Sequence, residues 1–269
     1  MYESTIPDGI PIITDRNYRQ FLIGPHQDGQ RVLKGYIARN YEAFPEGSFA
    51  APFPLPIIPE GEWRDRIEML DKKNGWPKDQ KILSGFPSLN QNGTNYCWIN
   101  GPVQAVHYVR AAEGLPHVPL SPASVGAKIK NFRNVGGWGS QGLDYLIKHG
   151  AVPQSLWPPN AIDRRYDTPE AEAARAKYKV VEWWELKERS FEQLVSCLMY
   201  GYPVAIGLNW WGHEVLACKV VIKGSAYFID IDNSWGTSWG DNGHGLLTRS
   251  KATPDDAVAP RVSTMEAAA

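Results

Sequence analysis

Asp232-Asn233-Ser234-Trp235-Gly236-Thr237-Ser238-Trp239-Gly240-Asp241-Asn242-Gly243 decides how this chain is read. Two Trp-Gly pairs frame a polar segment directly after an apolar run, Tyr227 to Ile231. The pattern places an asparagine where a strand runs out, beneath indole rings. A side-chain amide buried without partners costs a few kcal/mol. Asn233 is therefore expected to hold something polar, and the candidates are a histidine and a cysteine elsewhere in the chain.

Working outward, His213 follows Trp210-Trp211-Gly212 and opens a run of period two. Val204 to Trp210, Glu214 to Ile222 and Ala226 to Ile231 read as strands, the last two joined by Lys223-Gly224-Ser225. Asn233 thus lies one strand on from His213. An asparagine oxygen accepting one ring N–H fixes the tautomer and angle of an imidazole. Cys97 sits in Gln91-Asn92-Gly93-Thr94-Asn95-Tyr96-Cys97-Trp98, a turn-rich loop feeding a helix. A thiol at a helix N-terminus meets free N–H groups and the positive end of the dipole, which favour thiolate. Gln91 is placed to donate an amide N–H to a developing oxyanion, with the Cys97 backbone N–H as a second donor.

Helical signals fill the middle of the chain. Trp63, Ile67 and Leu70 recur at helical spacing before an Asn74-Gly75 stop, and a helix follows Cys97. Ser121-Pro122 and Thr168-Pro169 each pair a cap with a first-turn proline, and Ser140 to Gly150 carries Leu143, Leu146 and Ile147 on one face. A shorter helix starts at Ser190, with Gln193 completing a capping box, and ends at Gly201-Tyr202-Pro203. Helices in the middle and strands at the end indicate an α+β fold in two lobes with a cleft between them.

Eight of the 21 prolines fall in the first 60 residues, so residues 1–57 read as an irregular extension, with 31–39 as one edge strand. Residues 251–269 read as a tail or arm. The net charge of -1, with no basic run, gives nucleic acid and anionic membranes no electrostatic hold. No apolar run approaches the roughly 18 residues of a membrane span. Three cysteines, an odd count, and a start without the basic and apolar parts of a secretory signal suit a reducing, intracellular setting. With no CxxC and no histidine pair at ligand spacing, neither zinc nor another cofactor is expected.

Taken together, these motifs resemble the papain family of cysteine peptidases. Gln91 precedes the Cys97-Trp98 pair by the family's six residues. His213 precedes a strand, and Asn233 to Gly243 matches the Asn-Ser-Trp-Gly and Trp-Gly-x-x-Gly run. Val135-Gly136-Gly137 matches the paired glycines that hydrogen-bond a substrate backbone, and Leu120-Ser121 and Gly201-Tyr202-Pro203-Val204 match weaker signposts. The resemblance covers roughly residues 85–250.

It implies a helical left lobe of about 85–155 and an antiparallel, barrel-like right lobe of about 160–250, within a domain of 58–250. It implies a catalytic set of Cys97, His213, Asn233 and Gln91. Gly136, Gly137, Trp138 and Glu214 would bind substrate, and Trp98 and Trp235 would support the site. The substrate would be a polypeptide, the activity a cysteine endopeptidase, with no metal.

The chain also departs from the family. Thr94 and Asn134 stand where the family has its disulfide cysteines. Asn95 and Tyr96 imply a bulkier wall beside the nucleophile. Pro102 implies a kink or late start in the nucleophile helix, and Glu214 a carboxylate that favours a basic side chain. Two alternatives stay open. The domain serves as an assembly module whose arms hold a protein partner, as in a virus or phage particle, with little turnover. Or the same triad acts as an isopeptidase or acyltransferase.

Overall fold

The computed structural model describes residues 2–27, 30–31, 33–45 and 50–263. The early residues form four short strands, β1 (Ile12–Ile13), β2 (His26–Gln27), β3 (Gln30–Arg31) and β4 (Ala50–Pro52). Three helices follow: α1 (Glu60–Lys73), α2 (Pro77–Ser84) and α3 (Cys97–Ala112). Then come α4 (Pro122–Ile129), α5 (Gly139–Lys148) and α6 (Pro169–Arg175). Next come β5 (Val180–Glu185), α7 (Phe191–Met199), β6 (Val204–Leu208), β7 (His213–Lys223), β8 (Ala226–Asp232) and β9 (His244–Thr248). The described residues end with α8 (Arg249–Ala252) and β10 (Asp256–Ser263).

Local chemistry sets the helix ends. Ser121 and Thr168 accept from the backbone N–H groups of Ser124 and Ala171, with a proline at the first helical position of each. Asn74, at φ 50°, closes α1 in the left-handed region, as the Asn-Gly stop predicts. Ser190 caps α7 through Gln193 N–H, but the Gln193 side chain turns back to Lys187 N–H, so only half of the expected capping box forms. α3 starts at Cys97 itself and continues through Pro102 to Ala112, so the expected late start is not met.

One eight-stranded sheet runs in the order β1-β9-β8-β7-β6-β10-β5-β4. Its interior pairs are antiparallel, whereas β1/β9 and β4/β5 at the two margins are parallel. Residues 256–263, expected as part of a tail, instead form a strand between β6 and β5. Pro260 is tolerated there because β6 pairs only with Asp256 to Val258, so β10 has already left that neighbour. The N-terminal extension supplies both margin strands, which caps the open edges of the sheet. The expected edge strand over 31–39 reduces to Gln30–Arg31 and a single bridge at Tyr36.

Besides a small cluster of Ile10, Val221 and Leu246, two large apolar clusters fill most of the described interior. One joins α1, α7 and the inner face of β6 to β9, with Trp63, Trp211 and Trp235 among its residues. The other joins α3, α4 and α5 to β5 and β10, with Trp98, Trp157 and Trp183. The α+β, two-lobe architecture is thus present, and α3 lies along the seam against β6, β7 and β10.

Candidate active site

His213 opens β7 and Asn233 follows the last residue of β8, so pairing of these two strands brings them together. His213 Nε2 and Asn233 Oδ1 lie 2.8 Å apart. The amide oxygen can only accept, so the imidazole donates from Nε2 and Nδ1 carries the free lone pair. Trp235 stacks on His213 with ring centroids 4.8 Å apart, and Trp211 meets it edge-on at 5.0 Å. Both rings exclude water from the His–Asn bond, and burial lowers the His213 pKa to about 3.

Cys97 is the first residue of α3 and is fully buried. Burial raises its thiol well above the ordinary range, and Glu214 adds to this. Backbone N–H groups of Glu214, Tyr36 and Trp98 work in the opposite direction. His213 Nδ1 has no hydrogen-bond partner, so thiol and imidazole are not hydrogen-bonded in this form. Gln91 is buried and fixed at both ends of its amide. Its Oε1 accepts from Ser234 Oγ at 2.5 Å, and its Nε2 donates to the carbonyls of Leu33, Lys34 and Thr94.

Those two carbonyls at residues 33 and 34 reveal what the sequence could not: the extension threads the cleft. Ile37 N–H donates to the Gly137 carbonyl at 2.8 Å, and Gly137 N–H to the Gly35 carbonyl at 3.0 Å. Gly137 therefore pairs with an extended backbone, and that backbone is the chain's own. Neighbouring Gly136 has no room for a β-carbon beside the Gly35 carbonyl. Lys34 Nζ donates to the carbonyls of Leu22 and Trp211, each at 2.6 Å. Arg39, buried, pairs with Glu185 and reaches Asp256 at 3.5 Å, while Tyr41 donates to Asp256 at 3.2 Å. Lys34 and Arg39 thus clamp the segment on both sides of Tyr36.

Tyr36 is 7% exposed, and its ring fills the space that a side chain at Gly207 would take. Glu214 lies nearby, also buried, with no side-chain partner for either carboxylate oxygen. Burial and the Asp256 charge push its pKa well above the carboxylate range, against a partial offset from Gly139 N–H. In the occupied cleft burial thus works against the charged form of Glu214.

Tyr96 is corrected as well. Its ring is buried in the left lobe and its hydroxyl donates to the Arg133 carbonyl at 2.8 Å, so it does not wall the nucleophile. Side-chain amides tie the loops at Asn95 and Asn134. Asn134 accepts from Asn95 N–H at 2.7 Å and donates to the Gly93 carbonyl at 3.0 Å. Trp98 is buried with Lys130 Nζ 4.8 Å above its ring, and Trp138 precedes α5 against Phe44.

A second cysteine–histidine neighbourhood lies behind the site. Cys218, Asp230 and His244 place one ligand atom each within 4.8 Å of one another, all buried. Lys78 Nζ sits 2.6 Å from Asp230 and Lys81 Nζ 2.9 Å from His244 Nε2. Two ammonium groups already donate to Asp230 and His244, which fits an ion network better than a metal site.

No protein-family model matches the chain. The oryzain beta chain of Oryza sativa subsp. japonica is 22% identical over 211 residues, covering 69% of this chain and 44% of its own length. Digestive cysteine proteinase 3 of Homarus americanus is 23% identical over 256 residues, covering 86% and 74%. The digestive procathepsin L 3 of Tenebrio molitor larval midgut superposes with a TM-score of 0.59 at 14% identity, over 93% of this chain and 80% of that one. The chain has the papain-like fold of the cysteine peptidases. This papain-like chain spans less than half the length of the oryzain chain it matches. None of its three cysteines is disulfide-bonded.

Proposed function

We propose that the protein is a thiol peptidase whose cleft is occluded by its own residues 34–39. The observation that carries this is the His213–Asn233 pair under Trp235, with Cys97 at the start of α3 and Gln91 already donating to peptide carbonyls. In the reaction, Cys97 Sγ attacks a peptide carbonyl carbon, and His213 Nδ1 takes the thiol proton. Gln91 Nε2 and the Cys97 backbone N–H stabilise the oxyanion. The proton then passes from His213 to the leaving amine, and a water deprotonated by the same imidazole releases the acid.

The occluded form explains the poor thiolate conditions. With the segment in place, both thiol and imidazole are dehydrated, so the neutral pair is favoured over the ion pair. Lifting the segment readmits water and brings both pKa values back toward the ordinary range. A second reading, a binding module without turnover, is favoured by the anchoring of the extension. The segment runs between β1 on one sheet margin and β4 on the other, so one end cannot leave without disturbing a strand.

A fluorogenic peptide assay separates the two. Full-length Tyr36→Ala, which empties the Gly207 pocket, is expected to hydrolyse peptides, and Tyr36→Ala/Cys97→Ala is not. Equal rates in both variants would exclude Cys97 as nucleophile. No hydrolysis in either, with Cys97 open to an epoxysuccinyl thiol probe, would favour the binding module.

A further inference from the structure

We propose that Asp232 is a positioning residue: its carboxylate ties the nucleophile helix to the strand end that carries Asn233, and so sets the imidazole against Cys97. The inference rests on the peptidase reading above.

Asp232 is the last residue of β8 and precedes Asn233 directly. It is 3% exposed, yet its carboxylate is saturated. Oδ2 accepts from Lys81 Nζ at 2.9 Å, Gln104 Nε2 at 2.9 Å and Tyr108 OH at 2.8 Å, and Oδ1 accepts from Ser88 Oγ. These donors come from α2, from α3 and from the loop between them, all on the other side of the seam. Gln104 and Tyr108 lie seven and eleven residues after Cys97, which places them on one face of the same helix, two and three turns along. A rigid helix therefore links the Asp232 carboxylate to the thiol.

The residue after Asn233 is tied to the same loop. Ser234 O accepts from Gln91 N–H at 2.9 Å, Ser234 Oγ donates to Gln91 Oε1, and Trp235 bridges Asn90. Asn233 is thus held on one side by the α3 contact and on the other by the oxyanion donor. Its own N–H donates to the Gly243 carbonyl at 2.8 Å. An ionised carboxylate suits this place. Lys81 and His244 favour its charged form against burial, and its two oxygens accept four bonds where an amide offers one accepting oxygen. A shift of β8 along α3 moves Asn233 and His213 together, and misplacement by about 1 Å can cost a catalytic step about a hundredfold.

The test compares Gln104→Met and Tyr108→Phe, each in full-length protein carrying Tyr36→Ala, with Tyr36→Ala alone. Each removes one donor to Asp232 and touches neither cleft nor substrate. A fall in kcat of about tenfold at unchanged KM is expected, with the His213 ring N–H proton resonance displaced. Asp232→Asn combined with Lys81→Met, which leaves no buried unpaired charge, should show the same pattern. Unchanged kcat and an unmoved His213 resonance, with only the melting temperature lowered, would make Asp232 a purely structural residue and overturn the proposal. If the Tyr36→Ala background has no turnover, the resonance decides alone. Displacement then upholds the positioning role while the peptidase reading fails, and an unmoved signal sinks the positioning role too.

Discussion

Gly35 crosses the backbone of Asn95 with no room for a β-carbon: one built there collides with the Asn95 carbonyl. Its φ of 128° is itself a conformation that L side chains rarely adopt. Gly35→Ala must therefore lift the occluding segment or strain it, at about 1–3 kcal/mol. That shift raises the open fraction of the cleft by about tenfold or more. Labelling of Cys97 by an epoxysuccinyl probe, followed by intact mass, should accelerate by that factor in the full-length variant. A rate equal to wild type would mean the segment does not limit access to the thiol.

Asn233 holds His213 through one bond, and the other polar end of its side chain, Nδ2, has no partner. Asn233→Ala should therefore cost little stability beyond that bond, about 1 kcal/mol, while releasing the imidazole to rotate and change tautomer. In Tyr36→Ala protein, kcat should fall at least tenfold, since placed general acid–base catalysis contributes about 10² to 10⁴. Comparing kcat with the thermal midpoint checks this. A loss of midpoint without a loss of kcat would reassign Asn233 to packing.

Much of this site is legible in the sequence because its residues announce themselves locally. Asn233 and Trp235 sit in one short run, and Gln91 and Cys97 in another, with strand and helix signals beside each. What was not legible depends on tertiary contact. α2 follows directly on a helix stop at Asn74 and opens with Pro77, so its eight residues carry too little periodicity to stand out. β10 contains Ala and Pro, and only its place beside β6 and β5 makes a strand of it. Tyr96 looked like a cleft residue because spacing gives position along the chain, whereas lobe packing decides which way a side chain is buried. The occluding segment reads locally only as part of an edge strand over 31–39, with nothing to place it in a cleft. Its conformation is imposed by Gly137 and Gln91, some 60 to 100 residues away.

Acid stability should carry the signature of a second buried histidine. His107 accepts from Leu120 N–H through Nε2 at 3.0 Å, and Nδ1 lies 3.2 Å from Gln104 Oε1. Burial, then the His117 and Arg110 charges, lower its pKa to about 3, with Asp232 opposing. Its folded pKa lies below the unfolded value of about 6.5. The unfolded chain therefore binds the proton first, and His107 costs stability as pH falls from about 6.5 toward 3. Asp256, raised to about 6, has the opposite sign: the folded form gains its proton first, and that stabilisation is lost as pH rises from about 4 to 6. Wild type alone thus mixes two trends, and the informative quantity is a difference. His107→Gln should reduce the slope of stability against pH by about one proton, near 1.4 kcal/mol per pH unit. Urea unfolding of both proteins at pH 6.5, 5.5 and 4.5 measures it. Parallel curves would show that His107 titrates normally in the fold.

Glu214 should set what replaces Tyr36 in an opened cleft. Its oxygens have no side-chain partner, and Asp256 adds negative charge nearby. A lysine or arginine side chain entering the space that Tyr36 leaves would supply a cation, pull the Glu214 pKa down and form a charge-assisted bond. Such bonds contribute about 1.5–3 kcal/mol, so kcat/KM should favour a basic over an aromatic side chain by about tenfold or more. Glu214→Gln keeps the shape and removes the charge, and should erase that preference while leaving cleavage of aromatic substrates within about threefold. Raising the pH should strengthen the preference where Glu214 is intact, because burial holds its pKa above the ordinary carboxylate range, and should leave Glu214→Gln unchanged. Paired peptide substrates differing only at that side chain, assayed at pH 5, 6.5 and 8 in the Tyr36→Ala background, measure both effects. A preference that survives Glu214→Gln would place the recognition of charge elsewhere in the cleft.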